Sequence, residues 1–369
     1  MAVKIFLNFP QKNGKISLID ILQIVLFVLG GLLIAISLLP LIRNDHWTFR
    51  VFEFPRVQKW VLNFVFLVAA IILFPSDAYF ALGFIVLLSA NLIYLSYQIY
   101  PYTPISEKQV DAVSIDTEPS IKLFIANVFQ YNRKWQKLTN MVSGEQADIV
   151  LLVETDKWWK EKCVDAFGHD YEHQVLQDKE NTYGMLLFSK LELRDTQIHH
   201  WIKEELPSIE TNIVLDNRII KLYAIHPEPP VPSEDPESTA RDAEILLVGE
   251  RTNADEVPTI VAGDLNDVAW SYTTELFLKV SGLLDPRRGR GLFSSFHAKY
   301  PIARWPLDHV FCSGHFRLQK MKRMGFMGSD HFPIVLQLHL AKTNDDSDEL
   351  ELTVKEDRIS SQKIENGED

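Results

Sequence analysis

The sequence predicts three membrane-spanning helices followed by an α/β domain, a mixed two-sheet sandwich flanked by helices. Three observations lead there. Composition changes near residue 104, and three long apolar stretches precede the change. From about residue 118 to 340, short apolar runs alternate with segments of helical period, strands outnumbering helices. Leu215-Asp216-Asn217-Arg218 has the make-up of a hairpin turn, and a mixed sandwich fits this pattern better than a doubly wound parallel sheet. At 369 residues the chain has room for both parts.

The anchor, residues 1–104, holds spans at about 21–42, 57–74 and 79–100. The first and third are long enough to cross a hydrocarbon core, and the second becomes so if 57–59 continue it. Gln23, Asn63 and Asn91 are tolerable there if they face neighbouring helices. Pro75-Ser76-Asp77 makes a tight turn, so spans two and three should form an antiparallel hairpin. Tyr94, Tyr97, Tyr100 and Tyr102 fit an aromatic belt at the membrane surface. Two further spans and the lack of a small-residue cleavage site argue against a cleaved signal peptide. The expectation is a multi-pass protein of the cell membrane with the lipid bilayer as partner. Lys4, Lys12 and Lys15 favour a cytoplasmic N-terminus, against the pull of Arg43, Arg50, Arg56 and Lys59. Three crossings then put the large domain outside the cytoplasm.

Residues 105–118 read as a linker and 119–341 as the globular domain. Its expected strands are 121–127, 148–154, 183–189, 209–215, 219–226, 259–263, 308–312 and 332–340, with helices at 134–142, 156–166, 239–251 and 273–280. Cys163 and Cys312 stand 149 positions apart in apolar surroundings, which suits core packing better than a disulfide. From 342 to 369 the chain is polar, and after Lys342 it has ten acids against three bases and no apolar period; this predicts a disordered acidic tail.

Acids, amides and imidazoles recur where these strands end, the usual place for chemistry in α/β sheets. Asn127 ends the first strand, Glu154 the second, and His226 the strand before Pro227. Asp264 and Asn266 lie in Gly263-Asp264-Leu265-Asn266-Asp267, Asp308 opens a strand, and Asp330-His331 precede the last one. An acid at the tip of an apolar strand is costly to bury unless it is paired or bound to a metal. Gly-Asp-x-Asn alone reads equally well as an Asx-type turn or as a ligand and phosphate-holding pair. His309 and Asp267 should point to the opposite face and serve structure. His199, His200 and His297 have no partner spacing that suggests a metal site.

Taken in order, Asn127, Glu154, His226, Asp264-x-Asn266, Asp308 and Asp330-His331 resemble the endonuclease/exonuclease/phosphatase (DNase I-like) superfamily across about residues 119–341. Three spans ahead of such a domain are similar to the membrane-anchored bacterial branch related to teicoplanin-resistance proteins, a likeness of architecture more than of residues. The resemblance implies a four-layered α/β sandwich and a Mg²⁺- or Mn²⁺-dependent phosphoesterase. It makes Glu154 the principal metal ligand, with Asn127 and Asp330 near the metal or its waters. Asp264 would orient or deprotonate the attacking water, and Asn266 would hold the phosphate. His331, polarised by Asp308, would bind a phosphoryl oxygen or assist proton transfer. His226 matches the imidazole of DNase-like members.

Charge separates the substrates. The chain has 37 basic and 49 acidic side chains, and the domain itself nets about −8. A non-specific DNA binder should present a broad basic face. Instead, Arg287, Arg288, Arg290 and Arg304 cluster in one loop, either as a solvated loop or as a guanidinium clamp on a phosphate or diphosphate. The expected substrate is a lipid-linked or other phosphorylated compound near the membrane. A nuclease of the same fold and an idle membrane-tethered binding module are the alternatives.

Overall fold

The computed structural model describes residues 17–75, 77–113, 119–253, 257–341 and 349–368. The chain forms two compact units. One comprises residues 1–44 and 48–101, the other 45–47 and 102–369.

In the first unit, α1 (Leu18–Leu38), α3 (Arg56–Leu73) and α4 (Tyr79–Ile99) are long and apolar enough to cross a membrane. A one-turn helix, α2 (Trp47–Arg50), lies between the first two. A capping box starts α1: the Ser17 hydroxyl accepts from Asp20 N, and the Asp20 carboxylate accepts from Ser17 N. The polar residues within the spans do face neighbouring helices. Asn63 Nδ2 donates to Leu88 O at 2.8 Å, Asn91 Nδ2 donates to Asn63 Oδ1 at 2.9 Å, and Gln23 Nε2 donates to Leu73 O at 2.5 Å. An amide exposed to lipid would have no such partner.

The second unit holds two mixed sheets. The first has the order β10-β11-β1-β2-β4-β3, with β1 (Ser120–Asn127), β2 (Ile149–Val153), β3 (His173–Gln177), β4 (Met185–Ser189), β10 (Phe316–Arg323) and β11 (Ile334–Leu340). The second runs β5-β6-β7-β8-β9: Leu193–His199, Ser208–Leu215, Arg218–Ala224, Thr259–Asp264 and Asp308–Cys312. Alternation along β1 shows how the layers form. Ile121, Leu123 and Ile125 enter the core between the sheets, whereas Phe124 and Ala126 meet the outer core under α5 (Trp135–Glu145) and α6 (Lys157–Phe167). On the far side, α7 (Thr239–Asn253) and α8 (Tyr272–Ser281) cover the second sheet. Helix, sheet, sheet, helix make four layers. Cys163 and Cys312 are free and buried in these cores.

Three differences from the sequence reading stand out. The tail is not structureless over 349–368: Val354–Glu368 forms α9, whose Ile364 is buried in the core with α7 and α8. Gly367 permits the close approach, since a Cβ there would overlap that of Ala243. Residues 342–348 lie outside the described residues. Part of the expected linker belongs to the domain, because Val110 is fully buried and Leu318 N donates to Asp111 O at 2.8 Å. Finally, β3, β5 and β10 were not expected. All three are edge strands; no residue of β3 or β5 is buried, and only alternate residues at the start of β10 are, so their apolar signal is weak.

Candidate active site

The site forms where the two sheets meet at one end. Antiparallel pairing sets Asp264, the last residue of β8, directly opposite Asp308, the first of β9. Gly263 makes the approach feasible: its φ is +152°, and a Cβ would overlap Ile225 O. From the other sheet, Asn127 ends β1 and Glu154 follows β2. Asn127 Nδ2 donates to Glu154 Oε1 at 2.6 Å and to Asp264 Oδ2 at 3.0 Å, so one amide joins carboxylates from both sheets. His331 Nδ1 donates to Asp308 Oδ2 at 2.7 Å, and its Nε2 stands 3.6 Å from Asp264 Oδ2. His226 Nδ1 bonds Asp264 O at 3.0 Å. Asp330 is half-buried beside His331, and its charge is felt by both Glu154 and His331.

Two residues here occupy the left-handed region without being glycine: Glu154 (φ 57°) and Asn266 (φ 51°). Each costs about 1 kcal/mol relative to an unstrained backbone. Asn266 turns its side chain away from the course expected of an extended chain. Its Nδ2 donates to Pro227 O at 2.9 Å, and its backbone N donates to Asp264 Oδ1 at 3.0 Å. The Asx-type turn and the site are therefore one structure: Oδ1 of Asp264 closes the turn and Oδ2 faces Asn127 and His331.

Burial shapes the electrostatics. It pushes the Glu154 carboxyl up, against the opposing influence of His226, the Asn127 hydrogen bond and His331. It also raises Asp308, with Asp264 opposite adding repulsion. Burial would lower His331, but Asp308, Asp264 and Asp330 outweigh it and bring the imidazole to about 10. His331 is thus an imidazolium at neutral pH, with Nδ1–H fixed on Asp308 and Nε2–H free to serve an anion.

A divalent cation fits this donor set. Glu154, Asp264 and Asp330 offer hard oxygens, and a cation beside Glu154 would favour the carboxylate that desolvation disfavours. Asp264, Asp308 and His331 also bring one ligand atom each within 4.8 Å of one another. His331 Nδ1 is already committed to Asp308, so that trio acts more naturally as a proton relay, and the oxygens around Glu154 suit a hard cation better.

The expected arginine clamp is not assembled. Arg287 is buried, donates to both Asp285 oxygens and donates from Nη2 to His309 Nδ1 at 2.7 Å. Arg288 pairs with Glu275 and lies over the Tyr102 ring. Arg290 donates to the carbonyls of Pro286 and Val110. These three guanidiniums hold the loop itself together. Arg304 likewise donates from Nη2 to Ala298 O of the loop at 3.3 Å; it is half-buried and 5.0 Å from the Phe332 ring, with Arg323 4.2 Å from the same ring. His309 accepts from Arg287 at Nδ1 and donates from Nε2 to Asp267 O at 2.8 Å, a neutral tautomer that burial and Arg287 enforce. Asp267 accepts from Val268 N, Ser271 and Thr274.

Sequence reasoning passed over several contributors. Ser295 Oγ accepts from Asp308 N at 3.1 Å, and Ser329 Oγ donates to Asn127 O at 2.8 Å. From His331, rings lead outward through Phe296 (5.0 Å), His297 (4.6 Å) and exposed Tyr300 (4.6 Å). Tyr183 bonds Glu234 and lies 5.6 Å from the His226 ring. Phe296 and Tyr300 were legible in the sequence as aromatics interleaved with the basic residues of this loop, able to rest on lipid or stack on a base, whereas Ser295, Ser329 and Tyr183 carried no such signal.

The family model for the Endonuclease/Exonuclease/phosphatase family matches residues 126–331. Among solved structures, Danio rerio TDP2 complexed with a single-strand DNA product is similar at 15% identity, with a TM-score of 0.51 over 61% of this chain and 100% of that one. Truncated Caenorhabditis elegans TDP2 is 14% identical, with a TM-score of 0.50 over 60% of this chain and 98% of that one. An endonuclease/exonuclease/phosphatase protein from Beutenbergia cavernae is 14% identical, with a TM-score of 0.50 over 61% and 72%. At these identities the likeness is one of fold. No curated protein sequence matches the chain.

Proposed function

Because the chain belongs to the endonuclease/exonuclease/phosphatase family, we propose that it is a membrane-anchored, Mg²⁺- or Mn²⁺-dependent phosphoesterase that cleaves a lipid-linked or other membrane-proximal phosphate ester. The observation that carries this reading is the set of buried Asn127, Asp264, Asp308 and His331 with half-buried Glu154 at one end of the sandwich. The three apolar helices on the same chain favour a substrate held at a bilayer. The domain's net negative charge disfavours a broad nucleic-acid surface.

When bound, the cation supplies Lewis acidity and neutralises charge at phosphorus, held by Glu154 with Asn127 and Asp330 close by. The protein's own groups do the rest. Asp264 Oδ2 takes the proton of the attacking water as the new O–P bond forms. His331 Nε2–H donates to a phosphoryl oxygen, and Asp308 keeps the imidazole charged and oriented. The bond from phosphorus to the leaving oxygen breaks in the same displacement. Asn127 keeps the two carboxylates in register.

The test is Mg²⁺-dependent phosphate release from a polyprenyl diphosphate by the full chain in detergent, wild type against Asp264→Ala. Release by wild type alone supports the reading; no release from either rejects the lipid substrate. The ring series from His331 to Tyr300 favours one second reading, cleavage of single-stranded nucleic acid by base stacking. Metal-dependent cutting of an oligonucleotide, lost in Tyr300→Ala, would establish it.

A further inference from the structure

The turn that carries Asp264 and Asn266 is held from behind by a chain of buried charges that ends on the C-terminal helix, outside the matched residues 126–331. Arg241, on α7 and only 1% exposed, donates from Nη1 to Asn266 O at 2.9 Å and stands 3.6 Å from Asp267 Oδ1. Its Nε and Nη2 donate to Asp242 Oδ1 at 3.1 and 2.7 Å. The other oxygen of Asp242, which is fully buried, accepts from Lys363 Nζ of α9 at 2.9 Å and from Ser238 Oγ at 3.3 Å. Lys363 Nζ also donates to Asp45 Oδ1 at 2.9 Å. Asp45 belongs to this same unit, and its carbonyl accepts from Ser238 N at 2.8 Å.

We propose that Lys363 is a positioning residue for the catalytic turn, acting through Asp242 and Arg241 on the Asn266 carbonyl. This rests on the phosphoesterase reading of the site. The physical reason is charge balance in a medium that screens little. Asp242 splits its two oxygens between two cations. With Lys363 gone, Asp242 Oδ2 loses that cation, and the Arg241 guanidinium is drawn more fully onto Asp242. Arg241 then holds Asn266 O less well. Asn266 sits in the left-handed region, so its turn depends on outside contacts of this kind. A looser turn shifts Asp264 Oδ1 from Asn266 N and with it the oxygen that faces His331. Asp45 shares the same ammonium, so the segment between the first and second apolar helices enters the same chain.

The experiment uses the full chain in detergent with Lys363→Met and Lys363→Arg. Hydrogen–deuterium exchange at the amides of 265–268 is read alongside β1 as an internal reference. Hydrolysis of bis(4-nitrophenyl) phosphate with Mn²⁺ is the second readout. Lys363→Met should speed exchange at 265–268 while leaving β1 unchanged, and lower kcat about tenfold with KM little altered. Lys363→Arg should restore both. Unchanged exchange at 265–268 in Lys363→Met overturns the proposal, as does a kcat loss that arginine fails to rescue. If wild type cleaves no ester, the phosphoesterase reading has failed on its own, and the exchange measurement still decides whether Lys363 positions the turn.

Discussion

Glu154 concentrates the conflict between stability and function. It is a half-buried residue whose carboxyl is pushed up by desolvation, on a backbone in the left-handed region. Glu154→Gly removes both costs and should raise the melting temperature in EDTA, by about 1–2 kcal/mol of stability, while abolishing metal-dependent activity. Calorimetry beside an activity assay checks it; a lower melting temperature would mean that the carboxylate stabilises the fold. His331 gives a pH prediction. Its imidazole rises from 6.5 to about 10 on folding. A raised value means that the charged form is the one the fold favours. The pair's contribution should therefore be complete below pH 6.5 and fade as pH climbs through 10 in metal-free protein. Asp308→Asn should flatten that dependence in thermal melts across the range.

At the scale of elements, α9 is joined to the domain by the apolar side chains of Ile359 and Ile364 and by ion pairs from Lys363 and Glu356. Ile364 is buried, Lys363 meets Asp242, and Lys279 of α8 meets Glu356 at 2.8 Å. Ile364→Ala should lower stability by about 2 kcal/mol. A melting temperature unchanged in Ile364→Ala would show the helix to be loosely held. For Glu356, burial opposes ionisation, but hydrogen bonds from Lys279 and Thr353 prevail and bring it down to about 2. Its contribution is present above the ordinary value of 4.5 and is lost as pH falls toward 2. The helix hid from sequence reading for a physical reason. Its few apolar positions lie among acids, and their burial depends on α7 and α8, far away in the chain. Strands β1, β2 and β8 were legible because both of their faces are covered, which leaves an unbroken apolar run.

For the whole molecule, the three apolar helices and the proposed metal site lead to two expected behaviours. Chelation should abolish turnover and Mn²⁺ restore it, with the melting temperature rising as metal is added, since the ion binds only the folded site. If all three helices cross the bilayer, a cysteine replacing Asp77 should react with an impermeant maleimide from the side opposite the catalytic domain. Native Cys163 and Cys312 should stay silent, because burial pushes both thiols up. Labelling of Asp77→Cys and of a domain cysteine at exposed Glu204 (Glu204→Cys) from one side would break the three-crossing topology.

The sequence alone determined the three apolar spans, the two-sheet class and the order of Asn127, Glu154, His226, Asp264, Asp308 and His331. Each is a local matter: a run of apolar residues, or a polar residue that ends one. Tertiary structure decided which cations serve the site and which serve the scaffold. Arg287, Arg288 and Arg290 looked like a clamp, yet buried Asp285, Glu275 and the carbonyls of Val110 and Pro286 claim them. Arg241 and Lys363 had no motif around them, yet Asp242 and Asn266 place them behind the catalytic turn. A guanidinium goes wherever an unpaired buried charge or carbonyl waits, and that address is written only when distant segments pack.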